Sequence, residues 1–153
     1  MKTYQFVIIF LIINFAALGI GSWFMADGPK SQWYVSLKQA PWTPPGWVFG
    51  VAWTTIMICF SFYMASLIKL KPTSFVYGLF IIQFFLNVSW NYIFFNKHLV
   101  GIGLVTIIML TVVVAFFLFK YKDVLQIKTW LIAPYFIWLL IASSLNAYIF
   151  FNN

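Results

Sequence analysis

The sequence is short of charge, and of negative charge above all. Nine lysines face two aspartates, and there is no arginine or glutamate. Charged residues make up 7% of the chain and hydrophobic ones 64%. A water-soluble domain cannot carry that balance, because its own surface must meet water. The single cysteine, Cys59, leaves no partner for an internal disulfide, and its place in an apolar run reads as a small buried side chain. The single histidine, His98, sits at a span end beside Lys97 and cannot build a clustered metal site, so no metal or other cofactor is expected. No glycine-rich phosphate loop is present, and no nucleophile–base–acid set. No Asp, Glu, Lys or Arg lies well inside an apolar run, so the coupling groups usual in ion-driven transporters are missing.

The net charge of +7 does not mark a nucleic-acid binder. Lys2, Lys30, Lys38, Lys69, Lys71, Lys97, Lys120, Lys122 and Lys128 form no patch; long apolar runs separate them, as at the flanks of membrane spans.

What is present is five uncharged stretches: residues 3–26, 39–68, 72–96, 98–119 and 129–153. Each exceeds the roughly 20 helical residues that cross a bilayer core. Lipid offers no partner to open backbone groups, so a span is a helix or part of a closed barrel. The runs are continuously apolar rather than alternating, which argues against a barrel. The expected fold is an all-α membrane protein, a bundle of five transmembrane helices forming one domain over residues 1–153. The first run, Tyr4 to Ala26, exceeds the roughly 7–15 residues of a signal-peptide core and is read as a retained helix. Five spans put the termini on opposite sides. Lys2, Lys69, Lys71, Lys120, Lys122 and Lys128 share the side of the N-terminus, so the positive-inside rule places that side in the cytoplasm of a multi-pass cell-membrane protein.

The second stretch opens with Pro41-Trp42-Thr43-Pro44-Pro45-Gly46-Trp47, which predicts a helix start near Pro44. Residues 27–42 then form the longest loop. Its Trp33 and Tyr34 fit either a lid over the bundle or anchors at the membrane interface.

Polar and aromatic residues recur at helical spacing inside three spans. In the third, Asn87, Trp90, Asn91 and Phe94 share a face. Two asparagines in lipid must point inward, either to hold helices together or to line a ligand site. In the fifth, Trp138, Ala142, Leu145 and Asn146 share a face, with Pro134 one turn earlier and expected to kink the helix. In the second, Phe49 and Trp53 are four apart. Such aromatics alone usually mean core packing, but three faces of the same character point to a pocket.

These residues resemble a known family. Pro41-Trp42-Thr43-Pro44-Pro45, then Val48-Phe49-Gly50 and Trp53, is similar to the P-x-W-x-PP…VFG…W signature of the TspO/MBR family, the tryptophan-rich sensory and translocator proteins. Asn87-x-x-Trp90 with Phe94-Phe95 resembles its third-helix motif. Pro134-Tyr135-x-x-Trp138, followed by Ala142, Leu145 and Asn146, resembles its fifth helix. The resemblance implies a five-helix bundle, often a homodimer in the lipid bilayer. It also implies binding of porphyrins such as protoporphyrin IX and of drug-like aromatic ligands. Carried over by motif, the ligand-binding residues are Pro41, Trp42, Phe49, Trp53, Asn87, Trp90, Trp138, Ala142, Leu145 and Asn146. An alternative activity, light-dependent porphyrin breakdown, assigns catalysis to Trp53 and Trp138. Two departures stand out. Met57 occupies a place where the family often has tyrosine, and the sterol pattern after Leu145 and Tyr148 lacks its basic residue. A ligand-free helical scaffold is the third reading.

Overall fold

The computed structural model describes all 153 residues, and it is helical throughout. Helix α1 (Thr3–Phe24) is followed by a 3-10 turn at Gly28–Lys30 and a short helix α2 (Gln32–Ser36). Then come α3 (Gly46–Leu70), α4 (Ser74–Asn91) with a π-helical turn at Tyr92–Asn96, α5 (Val100–Lys120) and α6 (Lys122–Leu125). A 3-10 segment at Gln126–Ile132 leads into α7 (Ala133–Asn152). Five stretches are long and apolar enough to cross a membrane: Thr3–Lys30, Gly46–Leu70, Ser74–Asn96, Val100–Lys120 and Lys122–Asn152.

Local chemistry sets the ends. The start of α3 falls at Gly46, two residues later than the sequence predicts. Pro45 holds the residue before it out of helical geometry and is itself an extended N-cap (φ −56°, ψ 148°). Pro134 does not kink α7. It lies in the first turn, where its missing N–H costs nothing. The Thr73 hydroxyl caps α4 by accepting from the Val76 N–H at 3.3 Å. The π-helical turn closes α4 with one extra residue per turn, which buries the successive rings Phe94 and Phe95.

The spans form a closed ring in the order α1, α3, α7, α5, α4 and back to α1. At the end where the chain begins the interior is solid. Phe60 lies 5.2 Å from Tyr135 and 6.0 Å from Phe80, centroid to centroid, and Phe60, Tyr63, Phe117 and Tyr135 are all but fully buried. Three pairs hold polar groups there: Asn14 Nδ2 donates to Ser61 Oγ at 2.8 Å, Tyr63 to the Phe117 carbonyl at 2.8 Å, and Tyr135 to Gln83 Oε1 at 2.6 Å. Met57 is buried in this core, whereas Cys59 is only half-buried on α3.

The α5–α7 seam is equally close. A methyl at Gly101 would stand 3.0 Å from the Phe150 ring, and one at Gly103 would stand 3.2 Å from Phe94. Both glycines are spent on contacts inside the chain.

The connection after α1 is fastened down. Trp33 stacks on His98 at 4.0 Å and 10°, while Tyr34 is buried against Phe94 and Phe95. Burial raises the Tyr34 phenol above its ordinary pKa. Further along, Trp42 Nε1 donates to Ser144 Oγ at 3.0 Å. Trp33 and Tyr34 thus pack as a cover on the bundle end.

Candidate functional site

A cavity of about 190 Å³ lies beneath this cover, between α1, α3 and α4. From α3 it takes Phe49, Gly50, Trp53 and Thr54, and from α4 and its π-helical turn it takes Asn87, Trp90, Asn91 and Phe95. A wider recess of about 610 Å³ stands above it, carries Asp27 and Lys30, and shares Met25, Pro29, Phe49 and Gly50 with it.

The polar group at its centre is Asn87. Its side chain is 5% exposed, lines the cavity and makes no hydrogen bond within the chain. The amide opens onto the cavity, where a polar group from outside the chain can reach it. Asn91 is less free: its Nδ2 donates to the Asn87 carbonyl at 3.3 Å and abuts Gly21, where a methyl would stand 2.8 Å away. Gly21 therefore sets how closely α1 approaches α4.

Trp90 is held in place. Its Nε1 donates to Asn146 Oδ1 at 3.1 Å, Asn146 Nδ2 donates to the Val100 carbonyl at 3.0 Å, and the indole stacks on Phe94. Asn146 thus orients a cavity wall without reaching the cavity.

The ten residues singled out from sequence fall into three groups. Phe49, Trp53, Asn87 and Trp90 line the cavity together. Trp138, Ala142, Leu145 and Asn146 are buried on α7, behind that wall. Trp138 meets Phe49 edge-on at 5.3 Å, and its Nε1–H is the one sealed polar atom without a partner. Pro41 and Trp42 lie on the connection, with Trp42 turned to Ser144 and Tyr148 of α7. Sequence reasoning gave no part to α1, yet Ala17, Leu18, Ser22 and Met25 close one side. The small buried residues Ala17 and Gly21, four apart on one face of α1, are the signal for that close approach.

No group of acidic, histidine or cysteine side chains able to hold a metal ion occurs in the structure. The site offers indole faces, the unbonded Asn87 amide and hydroxyls, and no ionisable side chain within the cavity itself.

Comparison with known proteins places this arrangement. The model of the TspO/MBR family matches residues 9–151. A tryptophan-rich protein TspO of Archaeoglobus fulgidus is 32% identical over 158 aligned positions, covering 100% of this chain and 97% of that protein. Protein CrtK of Rhodobacter capsulatus is 32% identical over 74% of each chain. The human translocator protein is 29% identical over 88% of this chain and 82% of its own length. With five helices long and apolar enough to span a membrane, and a family match that runs almost end to end, the chain belongs to the TspO/MBR family and is a multi-pass membrane protein.

Proposed function

We propose that this protein binds flat aromatic ligands in the membrane, porphyrins such as protoporphyrin IX foremost. The observation that carries this reading is the free Asn87 amide set among Phe49, Trp53, Trp90 and Phe95. Ring faces stack on a macrocycle at about 0.5–1.5 kcal/mol per pair beyond burial, and the amide meets its ring nitrogens or a carbonyl. The inner cavity alone is below the roughly 300–1,000 Å³ of ordinary ligand sites, so the macrocycle spans both the cavity and the recess above it. Its carboxylates then lie by Lys30, the cation of that recess. Metal-free porphyrin suits the site better than tightly ligated haem, because no histidine lines it. The basic end of the bundle faces the cytoplasm, which puts the cavity toward the opposite surface of the cell membrane.

Titration of the purified protein with protoporphyrin IX, read by tryptophan fluorescence, tests this. Saturable quenching that weakens at least tenfold in Asn87→Leu is the expected result. A linear, unsaturated response in the wild type sinks the reading.

A second reading, light-driven oxidation of the bound porphyrin by dioxygen, is favoured by one observation: the Trp53 indole lines the cavity and lies 6.0 Å from Tyr135. Porphyrin loss under illumination should then slow in Trp53→Phe, with a smaller change in Trp138→Phe. Equal loss in all three would leave binding alone.

A further inference from the structure

The outward stripe of α3 follows from spacing. Trp47, Val51, Thr54 and Ile58 succeed one another at four, three and four residues, and all four are exposed. The cavity belongs on the inward stripe, with Phe49 and Trp53. Its lining nevertheless runs from those two through Gly50 to Thr54 on the outward stripe. On α1 it runs likewise from buried Ala17 to exposed Ser22. The wall between α1 and α3 is therefore slotted. The edges of the slot are Ser22, Gly50 and Thr54, all small and all exposed, and a methyl at Gly50 would meet nothing within 4 Å.

Two further observations bear on what passes there. Ser61, Thr106 and Thr111 return their hydroxyls to the carbonyl four residues earlier, as lipid demands. Ser22 and Thr54 make no hydrogen bond within the chain, so the slot is edged with free hydroxyls. Its depth is marked by Trp23, beside Ser22, and Trp47, one turn before Gly50 and Val51; they are 78% and 71% exposed. Tryptophans gather where acyl chains meet headgroups, so the slot opens at that boundary.

We propose that the slot between α1 and α3 is a lateral portal, through which a planar, carboxylate-bearing aromatic ligand enters edge-on from the bilayer. This rests on the porphyrin-binding reading above. A macrocycle dissolved in a leaflet keeps its carboxylates at the headgroups and its ring among the acyl chains. It thus arrives at the level of Gly50, slides inward past the two hydroxyls, and leaves its carboxylates near Lys30. The connection over the bundle, pinned by the Trp33–His98 stack and the Trp42–Ser144 bond, stays closed throughout.

The test uses full-length protein in phosphatidylcholine vesicles, protoporphyrin IX preloaded into a second vesicle population, and stopped-flow tryptophan quenching. Gly50→Leu and Ser22→Leu narrow the slot from its two sides, and thermal midpoints check that each folds. Both should associate at least tenfold more slowly than wild type, with slower dissociation as well. The wild-type rate should follow the porphyrin-to-lipid ratio. A His98→Ala/Ser144→Ala double variant, which unpins the connection, should associate within twofold of wild type. Wild-type association rates in both slot variants overturn the portal, as does faster association in the unpinned variant with the slot variants unchanged. Absence of saturable quenching in the wild type at equilibrium is a separate outcome, and it overturns the binding reading itself.

Discussion

The two halves of this bundle treat polar groups in opposite ways. In the half where the chain begins, the most deeply buried donors have acceptors: Asn14 with Ser61, Tyr63 with the Phe117 carbonyl, Tyr135 with Gln83. In the half under the connection, Asn87, Ser22 and Thr54 have none, and they surround a cavity. Lipid makes unpaired polar groups expensive in both halves. Taken with the proposed binding function, the difference predicts which substitutions harm folding and which harm binding.

Four measurements sharpen or break that division. Phe60→Ala, at the centre of the sealed half, should cost most: about 3 kcal/mol, the low end for such truncations, because lipid is as apolar as the core and only packing is lost. A thermal midpoint in detergent that barely moves would show that this half is not close-packed. Gly103→Val should cost roughly 1–3 kcal/mol by forcing Phe94 and Asn146 apart, and it should disturb Trp90 through Asn146. Tyr135→Phe leaves Gln83 without its donor and should also cost about 1–3 kcal/mol, read in the same way. Asn87→Leu should have the smallest effect on folding, neutral or slightly stabilising, although it weakens porphyrin binding. If Asn87→Leu unfolds the protein as readily as Tyr135→Phe does, the amide is a structural member and the contrast between the halves collapses.

The sequence carried the fold further than it carried the site. Lysines at span ends and continuous apolar runs gave five helices, because the bilayer leaves few alternatives to a chain with so little charge. Proline accounts for two departures: α3 starts after Pro45, and Pro134 opens α7 instead of kinking it. The cavity was legible on α3 and α4, where an amide among indoles is conspicuous at helical spacing. It was not legible on α1, whose contribution is an absence of bulk at Ala17, Gly21 and Ser22. Nor did spacing reveal that α7 stands behind the cavity wall. Trp138 and Asn146 have the same residue chemistry as Trp53 and Asn87, and only the order of helices around the ring places Phe49 and Trp90 in front of them.

The unpartnered Trp138 N–H has a practical consequence. A dry indole with no hydrogen bond emits toward the blue, whereas Trp23 and Trp47, exposed beside the proposed slot at the headgroup boundary, should emit further to the red. The protein thus carries its own spectral ruler, with a short-wavelength source locked in the interior against two at the edge of the slot. A ligand that quenches the red side first, and the blue side only as it settles, would trace its path inward without any added label.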